Sequence, residues 1–215
     1  MFSKESIRLV IFDFDGVIVE SNNIKDTVFE EIFSRYPLCF ENAMQYHRDN
    51  VSVSRYQKFD HLLELMGEPG NTVVKEQLLN DFSSLTLKKM HSVSFVNGAR
   101  LILEKLQGRF PLYLASVTPI EDLEMILADL KIRSYFKDIY GCPPWTKPNA
   151  IKDILQKENA APQNVVLIGD SYGDQRAAHE TGIHFIGRDS GLGFEDPQPA
   201  VIVKDLETLS AFLLT

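Results

Sequence analysis

The stretch "RLVIFDFDGVIVES", residues 8–21, decides how the chain is read. Leu9, Val10, Ile11 and Phe12 form a continuous apolar run without alternation, the pattern of a strand covered on both faces of a parallel sheet. At its end stand Asp13 and Asp15, one residue apart. Two ionised carboxylates closing a buried strand are costly unless they are hydrogen-bonded, paired with cations or bound to a metal. The competing reading is a solvated turn, because Asp15-Gly16 is a common turn dipeptide.

Outward from this stretch, short apolar runs recur at 111–117, 164–169, 183–187 and 200–203. Helical patterns at 98–107, 120–130 and 149–158 separate them. Strand–helix alternation of this kind predicts an α/β fold, a doubly wound Rossmann-like parallel sheet with helices on both faces. The segment 21–91 breaks the alternation, with no convincing strand. Ile24, Val28 and Ile32 share one face before Pro37; Phe59, Leu62, Leu63 and Met66 form a second stripe ending at Gly67; Val74, Leu78, Phe82 and Leu85 form a third. The expected organisation is a core of residues 1–18 and 92–215 and an inserted helical cap domain of residues 19–91. Ligands of open α/β sheets bind beyond the carboxyl ends of the strands, so an insertion leaving from there is expected to act as a lid.

Composition narrows the setting. With 22 Lys and Arg against 30 Asp and Glu, the net charge of −8 argues against nucleic acid or an anionic membrane as partner. The two cysteines, Cys39 and Cys142, are too few for a disulfide framework. No apolar run is long enough to span a bilayer, and no basic-then-apolar leader opens the sequence. A soluble cytoplasmic protein is expected, monomeric or weakly dimeric.

Four chemical elements fall at the carboxyl ends of successive candidate strands: Asp13 with Asp15, Ser116, Lys147, and Asp170 with Asp174. In this order the sequence resembles the haloacid dehalogenase superfamily: DxDGV at 13–17, a hydrophobic run ending in Ser116, then Lys147, then GDxxxD at 169–174. The match spans nearly the whole chain. It includes the helical insertion of the phosphoglycolate phosphatase and β-phosphoglucomutase-like subclass. The resemblance implies a Mg²⁺-dependent phosphatase acting on a small phosphorylated metabolite, with Asp13 as the nucleophile that becomes an aspartyl-phosphate. It further implies that Asp13 and Asp170 bind Mg²⁺ by side-chain oxygens and Asp15 by its backbone carbonyl. The Asp15 side chain is then left as general acid and base. Ser116 would hydrogen-bond the phosphoryl group, with Gly16, Val17 and Val117 as backbone contacts. Lys147 would neutralise that group and Asp13, and Asp174 would hold Lys147 or waters on the metal.

Each residue also has a plainer reading. Ser116 could cap a turn, Lys147 could be a surface lysine, and Asp174 could be only a helix cap. In the insertion, "NVSVSRYQKFDHLLELMG" (50–67) puts Arg55 four residues before Phe59, with Lys58 at i+3. "VSR" resembles the cap motif of β-phosphoglucomutases, which implies that Arg55 clamps a second anionic group; a solvated helix of mixed charge is the alternative. Lys58 is a further candidate substrate contact, and Lys25, His47 and Arg48 are weaker ones. His61, His91, His179 and His184 read as structural positions without partners, and Trp145 as a wall beside Lys147. Rival functions are a phosphomutase, a phosphonate hydrolase using a cap lysine (disfavoured because Arg55 takes its place), and a phospho-acceptor signalling domain. A dinucleotide binder lacks GxGxxG after the first strand.

Overall fold

The structure is a computed structural model and describes residues 4–214. In chain order its elements begin with β1 (Leu9–Phe12), α1 (Asn22–Phe33), α2 (Phe40–Asp49), α3 (Arg55–Leu65), α4 (Thr72–Met90) and α5 (Ala99–Leu106). There follow β2 (Leu112–Ala115), α6 (Ile120–Asp129), β3 (Asp138–Tyr140), α7 (Lys147–Lys157) and β4 (Val165–Gly169). The chain continues with α8 (Tyr172–Thr181), β5 (His184–Arg188), β6 (Ile202–Val203) and α9 (Leu206–Leu214). The chain divides into two compact units. One comprises the chain up to Glu20 and from Ser94 onward; the other is Ser21–Val93.

The first unit holds a six-stranded sheet in the order β3-β2-β1-β4-β5-β6, every pairing parallel. β1 lies inside the sheet, Val10 registering with Leu112 of β2 on one side and Val166 of β4 on the other. All four residues of β1 are buried, which is why its sequence is unbroken apolar rather than alternating. Against one face Ile151 and Ile154 of α7 and Ala177 and Ala178 of α8 pack on Leu9, Ile11, Tyr113, Val165 and Leu167. The architecture is the expected one: a doubly wound, Rossmann-like α/β core carrying an inserted helical domain.

Three details differ from the sequence reading. β3 was not expected, because three residues containing Asp138 carry no pattern of their own; pairing with β2, Tyr113 opposite Asp138, makes them a strand. The run at 200–203 contributes only Ile202 and Val203 to the sheet. And α7 begins at Lys147 rather than Asn149. The Thr146 hydroxyl caps it by accepting from the Asn149 N–H, and Pro148 sits in the first turn, where its missing N–H costs nothing.

The second unit is helical. α1, α3 and α4 carry the three expected stripes, and α2 is additional. Only Ala43, Met44 and His47 of α2 are buried, too narrow a stripe to register as periodicity. Phe29 stands at the centre of this small core, its ring 4.5 Å from Phe82 and 5.8 Å from Phe59. Val28, Ile32, Phe33, Leu62 and Leu78 close around the aromatic group. Among the described residues no helix is long and apolar enough to cross a membrane.

Candidate active site

The sheet brings the sequence motifs of the first unit together. Asp13 follows β1 and Ser116 follows β2, so neighbouring strands deliver them side by side. Lys147 opens α7 after β3, and Asp170 follows β4. The Asp13 N–H donates to the Ile168 carbonyl at 2.8 Å, tying the ends of β1 and β4. Asp13, Asp15, Ser116, Asp170 and Asp174 are all buried.

Lys147 is the cation of the cluster. Its Nζ lies 2.9 Å from Asp13 Oδ1 and also donates to Asp174 Oδ1. Burial alone would push the ammonium toward neutrality, but the charges of Asp13 and Asp174 outweigh it and hold the Lys147 pKa above the ordinary lysine value. Asp13 is pushed well above the carboxylate range, first by burial and then by Asp174, Asp170 and Asp15, with Lys147 pulling the other way. One ammonium therefore faces a surplus of buried negative charge.

Asp174 fills both roles the sequence left open. Its Oδ2 accepts from the Ser171 N–H at 3.2 Å and the Ser171 hydroxyl at 2.6 Å, capping α8, while Oδ1 holds Lys147. Gly169 makes this possible: a Cβ there would lie 2.3 Å from the Asp174 Cβ. Ser116 is likewise both turn and site. Its Oγ accepts from the Thr118 N–H at 3.1 Å and sits 3.4 Å from Asp15 Oδ2.

Thr118 escaped the sequence reading. Its hydroxyl donates to Asp15 Oδ2 at 2.9 Å, so two hydroxyls aim the Asp15 carboxylate. The turn bearing Asp15 carries Gly16 at φ 69°, a left-handed conformation that favours glycine. Within that turn the Gly16 N–H donates to Val19 and the Val17 N–H to Phe14. Arg188, at the end of β5, reaches the Gly16 carbonyl at 3.0 Å and pairs with Glu20.

Asp13, Asp170 and Asp174 can each offer a carboxylate oxygen within 4.8 Å of the others. Three hard oxygen donors with excess negative charge fit a small divalent cation such as Mg²⁺. Trp145 packs edge-on against Tyr140 at 5.2 Å and rests on the apolar core.

The remaining candidates belong to the helical unit. Arg55 is 8% exposed, its guanidinium 5.2 Å from the Phe82 ring centre. Lys58 is 3% exposed and its Nζ lies 2.7 Å from His47 Nδ1; Lys25 is on α1. Two histidines read as partnerless have partners: His61 stacks on Tyr46 at 4.0 Å, and His184 Nε2 reaches the Gln163 carbonyl at 3.1 Å.

Comparison with known proteins agrees with this geometry. The family model of the haloacid dehalogenase-like hydrolases matches residues 10–188. A phosphoglycolate phosphatase of Vibrio cholerae is 25% identical, covering 98% of this chain and 98% of its own. The pyrophosphatase PpaX of Oceanobacillus iheyensis is 25% identical over 82% of each chain. Among solved structures, a haloacid dehalogenase-like hydrolase of Streptococcus pneumoniae superposes with a TM-score of 0.75 at 24% identity, covering 97% of this chain and 99% of that one.

Proposed function

Because the chain belongs to the haloacid dehalogenase-like hydrolases, we propose that it is a phosphatase acting on a small phosphorylated metabolite, a sugar phosphate or phosphoglycolate-like acid, through an aspartyl-phosphate on Asp13. One observation carries the reading. Asp13, Asp15, Ser116, Lys147, Asp170 and Asp174 come from four strand ends, with Lys147 paired to Asp13 and Asp174, Ser116 bonded to Asp15, and Asp15 and Asp170 close enough to act on the charge of Asp13.

Asp13 attacks phosphorus. The carboxylate and the phosphate are both anionic, so the approach requires positive charge; Lys147, held charged, supplies one unit of it. Asp13 and Asp170, with the Asp15 backbone carbonyl, would hold Mg²⁺, which when bound neutralises the remaining charge and polarises the phosphoryl oxygens. Asp15 protonates the leaving alkoxide, and its carboxylate then takes the proton of the water that cleaves the aspartyl-phosphate. The Thr118 and Ser116 hydroxyls keep Asp15 in one orientation through both steps. The backbone at Val117 contacts the phosphoryl group; the Gly16 and Val17 N–H groups are already given to Val19 and Phe14, and the Ser116 hydroxyl to Asp15. In the helical unit, Lys25, Arg55 and Lys58 remain the substrate contacts expected from the sequence. The working setting is the cytoplasm, the protein a monomer or weak dimer.

The test is phosphate release from a panel of phosphorylated metabolites, with and without Mg²⁺, for the wild type and Asp13→Asn. Mg²⁺-dependent turnover of at least one compound, abolished by the substitution, is expected. Undiminished turnover by Asp13→Asn would remove Asp13 as nucleophile.

A further inference from the structure

Arg188 is 8% exposed and stands at the last position of β5, where it registers with Val203 of β6. Its guanidinium reaches three separate segments. Nε donates to the Lys204 carbonyl at 3.3 Å. Nη1 donates to the Gly16 carbonyl at 3.0 Å and to Glu20 Oε2 at 3.1 Å, and Nη2 donates to Glu20 Oε1. The fork on Glu20 is bidentate, a geometry that fixes the plane of the guanidinium. Neither Arg188 nor Glu20 has a part in the phosphoryl chemistry proposed for the site.

The segment they hold is the turn that carries Asp15. Before the turn, the Asp13 N–H ties the chain to the Ile168 carbonyl of β4. After it, Val19 bridges to Phe95 and the Glu20 N–H donates to the Ser94 carbonyl at 2.9 Å. Between these anchors stands Gly16 at φ 69°, directly after Asp15. A glycine has no Cβ to restrict its ψ, so the peptide that joins it to Val17 can rotate unless something holds it. The Val17 N–H of that peptide donates to the Phe14 carbonyl over 3.3 Å, a long bond. Arg188 holds the other side, the Gly16 carbonyl, from a strand inside the sheet. The Asp15 carboxylate is aimed at its tip by Thr118 and Ser116, while its backbone depends on this turn.

We propose that Arg188, locked by Glu20, is a positioning residue for the general acid. By holding the Gly16 carbonyl it keeps the Asp15 carboxyl on the line along which its proton passes to the leaving oxygen. Arg188 itself touches no reacting atom. The inference rests on the function proposed above, in which Asp15 protonates the leaving oxygen as its bond to phosphorus breaks and the Asp13–phosphorus bond forms. That chemistry dictates the pattern of loss. A proton from Asp15 matters most when the leaving group is a basic alkoxide and little when it departs as a stabilised nitrophenolate. A displaced acid therefore penalises alkyl esters selectively, whereas a disturbed nucleophile or lysine penalises all esters alike. A displacement on the order of 1 Å is enough to cost about 10²-fold.

The experiment compares kcat/KM, which covers the steps up to transfer onto Asp13, at Mg²⁺ concentrations saturating for each variant. The substrates are the fastest alkyl phosphate of the metabolite panel and p-nitrophenyl phosphate. Arg188→Met is expected to lose about 10–100-fold on the alkyl ester and less than about 3-fold on the nitrophenyl ester. Arg188→Lys restores a donor without the fork, and Glu20→Gln keeps the shape while weakening the fork; both should show smaller losses with the same selectivity. If Arg188→Met does not fold, these two variants carry the comparison. Placed in Asp15→Asn, Arg188→Met should cost nothing further on the alkyl ester, because no acid is left to position. Equal losses on the two esters, or a full additional loss in the double variant, would make Arg188 a prop of the fold and overturn the proposal alone. A wild type that releases phosphate from no member of the panel would overturn the phosphatase reading and this inference with it.

Discussion

Lys147, its side chain 10% exposed, and Lys58, 3% exposed, stand one in each unit, and their charges are governed in opposite directions. Lys147 meets the carboxylates of Asp13 and Asp174 and is held above the ordinary lysine value; Lys58 meets an imidazole, an aromatic ring and a second lysine, and falls to about 7. Burial weakens both ammonium ions, so burial does not separate them. The sign of the neighbouring charge does. A lysine held permanently charged suits a phosphoryl group that arrives as an anion every time.

The comparison breaks most sharply at the chemistry. Asp15→Asn should slow turnover by about 10²–10⁴-fold, the usual loss when a general acid–base is removed. The loss should appear on every phosphate ester tested, because the role proposed for Asp15 is at the scissile bond. Lys147→Met should reduce kcat by about 10²–10³-fold, again on all esters, because it removes charge from the transferring group. If an aryl phosphate were spared by Lys147→Met, Lys147 would belong to the remote end of the substrate and the contrast between the two lysines would collapse.

Smaller effects are expected in the helical unit. Arg55→Ala should lower kcat/KM by about 10–100-fold for the best metabolite of the phosphate-release panel, the cost of a charge-assisted hydrogen bond. An aryl phosphate should change little. Equal losses on both would make Arg55 a structural residue of the helical unit, consistent with its packing on Phe82.

Stability provides the subtlest difference. Between pH 7 and the ordinary lysine value of about 10.4, the unfolded chain carries a proton on Lys58 that the folded chain has released. Stability therefore rises with pH across that window, by at most a few kcal/mol for this group. Lys58→Met should lack the slope and be the more stable form near pH 6, where folded wild type must bury the charge. Urea melts at pH 6 and pH 9 measure it. A wild-type curve parallel to that of the variant would mean that Lys58 keeps its proton in the fold.

Much was legible in the sequence because some residues carry their meaning locally. The unbroken apolar run of β1 marks a doubly covered strand, the carboxylates after it mark a site, and the missing strands of 21–91 mark a helical insertion. Asp13, Ser116, Lys147 and Asp170 could be placed because strand ends of a parallel sheet gather on one side, so position along the chain predicts position in space. Tertiary structure alone decided the rest. β3 is a strand only because β2 pairs with it. Thr118 gains its role where the ends of β1 and β2 meet and its hydroxyl finds Asp15. Asp26, His47 and Lys58 lie on three helices, and nothing in their spacing joins them. The charge of a lysine is set by burial and by neighbours brought from elsewhere in the chain, and those exist only once the chain has folded.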